Sequence, residues 1–160
     1  MSNIFLPEHF KIVSGTLGAR TTNGGVTGDV IDLKNALMVW MVAHYQQAVT
    51  HATTIVPVVG IAIGTCATPI TFTARWWKNA DVATTDTLVA QTDAVSFACT
   101  AGATDQLIVA QIDPSDVVAQ LSTYHCLGFT VATSGQANFV SVVYYIQERY
   151  PQATPPAAIA

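Results

Sequence analysis

Charge is what this chain has least of. Lys and Arg number 6 and Asp and Glu 10, together 10% of the 160 residues, with a net charge of −4; an average globular protein carries about 25%. The basic residues are scattered, which argues against a nucleic-acid surface, because phosphate binding needs clustered Lys and Arg. Long apolar runs are missing too. The nearest, IVPVVGIAIGTCA, is broken by Pro57, Gly60 and Gly64 and is too short to span a bilayer. The first residues, MSNIFLPEHFK, have neither a basic lead-in nor a continuous apolar stretch, so the expectation is synthesis in the cytoplasm without a signal peptide. Cysteine is scarce and odd in number: Cys66, Cys99 and Cys126 have neither zinc spacing nor a disulfide framework and read as buried free thiols.

Catalytic and cofactor motifs are also lacking. His9, His44, His51 and His125 share no ligand spacing, and HExxH and CxxC do not occur. TTNGGVTGD lacks the Lys-Ser/Thr of a phosphate loop and reads as a flexible linker. Asp81, Asp86, Asp93, Asp105, Asp113 and Asp116 fall in turn-like stretches, where Asp caps or closes the backbone. Cys126 beside His125 fails as a nucleophile pair, since strand neighbours face opposite ways. The expectation is a non-enzyme without cofactor or metal.

What is present is β pattern. Runs rich in Val, Ile, Thr and aromatics predict strands near 29–33, 36–46, 55–63, 69–77, 87–91, 94–99, 106–112, 124–132 and 138–148. DPSDVVAQLS opens with Asp113 as N-cap and Pro114 at the first helical position, predicting a short helix. The division that follows is an N-terminal arm and glycine-rich linker over 1–28, a sandwich over 29–150, and a Pro/Ala-rich tail over 151–160. In ITFTARWWKNA, alternation puts Ile70, Phe72, Ala74 and Trp76 on one face and Thr71, Thr73, Arg75 and Trp77 on the other. Trp76 is therefore expected in the core and Trp77 outside it. ALMVWMVAHYQ is apolar on both faces, with Leu37, Val39, Met41 and Tyr45 opposite Met38, Trp40, Val42 and His44. Such a strand is expected to be covered on both sides. The candidate partner-binding residues are Ile4, Phe5, Leu6 and Phe10 of the arm, with Tyr45, Arg75 and Trp77.

The order ITFTARWWKN, TTDT, QLIVAQIDPSDVV, YHCLGFTVAT, FVSVVYYIQERY and PQATPP, with GDVIDLKN at 28–35, resembles the small capsid decoration, or cement, proteins of tailed double-stranded DNA bacteriophages. The resemblance covers roughly three quarters of the chain, residues 1–27 excepted. It implies an all-β, jelly-roll-like antiparallel sandwich on the outside of an icosahedral head. There it would clamp adjacent major capsid subunits and associate with itself as a small homo-oligomer; that neither nucleic acid nor membrane is a partner is expected from the scattered basic residues and the short, broken apolar runs. Two other readings are a carbohydrate-binding jelly roll, in which Trp77 and Tyr45 stack on a sugar ring, and a tail or connector component of the virion.

Overall fold

A computed structural model describes residues 9–47, 51–99, 102, 105–135 and 138–149. They form two antiparallel sheets with one short helix. The larger sheet contains β1 (Phe10–Ser14), β2 (Arg20–Thr21), β5 (Ala36–Gln46), β8 (Arg75–Asn79), β9 (Val89–Ala90), β11 (Gln106–Ile112) and β13 (Phe139–Glu148). Its order is β1-β13-β5-β11-β8-β9, with β2 paired to β13. The smaller sheet contains β3 (Val26–Thr27), β4 (Ile31–Asp32), β6 (Thr53–Gly60), β7 (Thr68–Pro69), β10 (Phe97–Cys99) and β12 (Cys126–Val131), in the order β10-β6-β12-β3, with β4 on β12 and β7 on β6. The helix α1 (Pro114–Gln120) starts where Asp113 accepts a hydrogen bond from the Ser115 amide, with Pro114 in its first turn.

The core lies between the sheets and is built by alternation. Along β11, Ile108, Ala110 and Ile112 are buried while Leu107, Val109 and Gln111 are only half covered. Two aromatic pairs cross the interior. Trp76 of β8, 1% exposed, stacks on Phe97 of β10 with ring centroids 5.3 Å apart, and its Nε1–H donates to the Ala94 carbonyl at 2.9 Å. Tyr144 of β13 meets Phe129 of β12 at 6.1 Å, and its hydroxyl donates to the Asp29 carbonyl at 3.1 Å. Each pair joins one sheet to the other, which is the geometry that favours tilted or offset rings over a face-on sandwich.

The structure corrects the reading of 1–28 as arm and linker. Residues 10–14 are a strand of the larger sheet, pairing Phe10 with Gln147 through to Ser14 with Val143. Residues 20–21 pair with β13 and residues 26–27 cross to β12 in the other sheet. Glycine here serves close approach. A Cβ on Gly15 would stand 2.9 Å from Tyr144 Cε2, and one on Gly28 would stand 2.0 Å from Phe129 Cε1. The chain thus passes over both rings of the second aromatic pair, and the Asp29 amide donates to the Gly15 carbonyl at 2.9 Å to close the crossing. Ile4, Phe5, Leu6 and the tail 151–160 lie outside the described residues.

These contacts separate packing glycines from a free linker. Gly28→Ala forces the Phe129 ring aside and is expected to cost about 1–3 kcal/mol. Gly18→Ala meets nothing within 4 Å and carries only the strain of φ +74°, expected at about 1 kcal/mol. Urea unfolding of the two variants measures the difference, and equal small losses would restore the linker reading.

Candidate docking surface

The register of the larger sheet composes its outward face row by row, since residues directly opposite on neighbouring strands share a face. One row runs Ser14, Val143, Val42, Val109, Trp77 and Ala90. The next runs Ile12, Tyr145, Trp40, Gln111 and Arg75. Phe10, Gln147 and Met38 follow. Trp40, Val42, Trp77, Val109, Val143 and Tyr145 are all half-buried, and Ile12 is 48% exposed. Phe10 packs edge-on against Trp40 at 5.6 Å and 63°. Among the described residues the strands form these two sheets, with no third sheet against this face. An aromatic and β-branched belt therefore crosses the sheet from its β1 edge to β8.

The belt has a polar margin. Arg75 is exposed and lines a cleft of about 340 Å³ with Asp93, Asp113 and Asp116. His44 is exposed at the opposite end, across from Ser141 and Leu107. The described residues hold no group of three or more His, Cys, Asp or Glu placed to share a metal ion.

Of the residues expected to bind a partner, the structure brings Phe10, Arg75 and Trp77 to this one face. Trp76 and Trp77 divide as their alternation predicts, inward and outward. Tyr45 is a correction. It is 0% exposed, in the core, with its hydroxyl against the Cys99 thiol. The alternation of β5 groups Tyr45 with Val39 and Met41 as expected, but that set faces inward, and Leu37, expected with them, is 50% exposed where the register with β13 shifts between Gln147 and Glu148. Tyr45 and Trp77 are therefore on opposite faces of the sheet and cannot clasp one sugar ring. The residues the sequence reading did not assign are Trp40, Val42, Val109, Val143 and Tyr145. Their signal was the second apolar set of β5 and the alternate set of FVSVVYYIQE in β13.

The three cysteines are free and buried. Burial pushes the Cys66 and Cys99 thiols up to about 12 and raises Cys126 as well. All three are thus held away from the thiolate that nucleophilic chemistry requires. Desolvation likewise raises the buried hydroxyls of Tyr45 and Tyr144 well above the ordinary phenol value. No helix among the described residues is long and apolar enough to cross a membrane. A scan against protein-family models and a search of curated proteins each find no match.

Two predictions follow from the geometry of the strands and the buried groups. Trp76→Ala empties a closed core site and is expected to cost about 3–5 kcal/mol, whereas Trp77→Ala, from a half-open position, is expected to cost clearly less; equal losses in denaturant unfolding would overturn the assignment of faces. The buried thiols and phenols bind their protons more tightly folded than unfolded. Their contribution to stability is complete below the unfolded values of 9.0 and 10.0 and is lost as pH rises through the folded ones. Stability is therefore expected to be level from neutral pH to the unfolded thiol value and then to fall by about 1.4 kcal/mol per pH unit for each group engaged. Unfolding midpoints taken across the alkaline range check this, and a level curve there would refute it.

Proposed function

We propose that this protein is a structural component of a virion. In this reading it sits on the outside of an icosahedral bacteriophage head and cements adjacent major capsid subunits through the outward face of its larger sheet. The observation that carries the reading is the belt of Trp40, Trp77, Val42, Val109, Val143 and Tyr145. A contiguous apolar patch of this kind on a soluble domain marks an interaction site, and aromatic side chains dominate the centres of protein interfaces.

Strand order supports the jelly-roll part of the reading. Take β1, the β3–β4 pair, β5, β6, β10, β11, β12 and β13 as the principal strands. The first, last, third and sixth then make one sheet, and the second, seventh, fourth and fifth make the other, the order of two interleaved Greek keys. The β8–β9 hairpin extends the first sheet and delivers Trp77 and Arg75 to its face. Low charge fits the same picture, because a surface covered by neighbours has less need of solvation. Copies on a lattice gain from multivalency, so a modest face suffices for tight decoration.

A cement protein acts by binding the assembled lattice better than free subunits, and that differential affinity shifts the balance toward the intact head. The test compares survival of heads after heating or osmotic shock with no added chain, with the native chain and with the Trp40→Ala, Trp77→Ala double variant. The native chain is expected to co-sediment with heads and protect them, and the double variant to remain folded but fail at both. Heads that survive equally well in all three preparations would refute cementing. Retained binding by the double variant would move the contact to another surface.

A further inference from the structure

A second surface lies at the end of the sandwich where β13 finishes. A cleft of about 440 Å³ opens between α1, the turn after β4 and the loop before β12, a size typical of ligand sites. Leu33, Pro114, Val118 and Tyr124 give it an apolar wall, and Val118 is 49% exposed in the described structure. Lys34, whose ammonium lies 3.7 Å from Asp32 Oδ2, Ser115 and Arg149 put hydrogen-bond donors on its rim, and none of its described lining residues is a carboxylate.

Arg149 is both a wall of this cleft and the last described residue before Tyr150. The chain continues as YPQATPPAAIA, with Pro151, Pro155 and Pro156 and no charge. Proline has no N–H, and extended polyproline backbone leaves its carbonyls without internal partners. Such a segment is rich in acceptors and poor in donors, the complement of the cleft's rim. Its rings suit a wall containing tyrosine and proline, the usual way in which proline-rich segments dock.

We propose that the cleft is a proline-rich peptide site and that residues 150–156 of the same chain occupy it. Seven residues in polyproline form reach about 22 Å, ample to turn back along α1 from Arg149. Attachment at the wall gives the segment an effective concentration of about millimolar, which favours it over the same segment of a second copy. The inference does not depend on the capsid reading, since it concerns a different surface.

The test uses the full chain with a nitroxide on Ala157→Cys, the native thiols being buried, and the amide NMR spectrum as readout. The amides of Val118 and of residues 122–125 are expected to lose most of their intensity. Val118→Arg in the labelled chain is expected to restore it, and so is Pro155→Ser with Pro156→Ser, which leaves the cleft untouched. A mixture of unlabelled ¹⁵N chain with spin-labelled ¹⁴N chain is expected to show no loss. Loss appearing in that mixture would assign the site to a second copy's tail and overturn the proposal. So would the absence of loss in the labelled chain, or a loss that both variants leave unchanged.

Discussion

The inward placement of Trp76 is the constraint on which the rest of this structure turns. Its ring stacks on Phe97 of the opposite sheet while its indole N–H reaches the Ala94 carbonyl, so one side chain fills the core and anchors the segment leading to β10. A strand alternates with period two, and a one-residue slip of β8 would exchange Trp76 for Trp77. The exchange would also turn Arg75 into the buried position of Ala74, 2% exposed, and break the Ala74–Ala94 bridge, whose Ala94 carbonyl accepts from the Ala74 amide as well as from Trp76. Buried Ala74 and Trp76, set against exposed Arg75, hold β8 against that slip and keep Trp77 outward, opposite Val109 and in line with Val42 and Val143. The half-buried outward belt is thus a consequence of how the core is locked.

The second aromatic pair does for the N-terminal segment what the first does for β8. Tyr144 and Phe129 leave room only for backbone at Gly15 and Gly28, and Tyr144 takes the Asp29 carbonyl as its hydrogen-bond partner. The segment must therefore cross from the larger sheet to the smaller at that point. That crossing makes β1 the edge of the larger sheet, which places Phe10 and Ile12 on the outward face beside Trp40 and Tyr145. An N-terminal strand that serves the fold also widens the belt.

Much of this was legible in the sequence. The β5 and β11 patterns have their observed ends, and Asp113 with Pro114 marks the start of α1, because alternation and capping are local rules that tertiary packing here obeys. The strand expected over 69–77 begins later, at Arg75. Thr71 donates its amide to Gln120 Oε1 at 2.9 Å, which takes that stretch out of the ladder, and no local pattern announces a partner so distant in sequence. Two other readings miss for physical reasons. Glycine needed for close approach to a ring is indistinguishable, in sequence, from glycine that confers freedom, so the 14–28 stretch resembles a linker. In β5 both alternate sets are apolar, so the pattern groups Tyr45 with Val39 and Met41 but contains nothing to say which set faces inward.

That ambiguity in β5 is itself informative about the surface. A central strand whose partner sheet covers only one side normally resolves into apolar and polar faces. Here Trp40 and Val42 retain on the open side the residue types of a buried one, and β11 and β13 do the same with Val109, Val143 and Tyr145. Three adjacent strands carrying the pattern across a register-matched row is more than scattered exposure of single apolar residues, which any soluble protein shows. With charged residues making up 10% of the chain, few groups remain to solvate such a face or to repel an approaching neighbour. The chain's low charge and its doubly apolar strands thus have one structural result: an outward face of the larger sheet that is apolar across three adjacent strands and carries little charge.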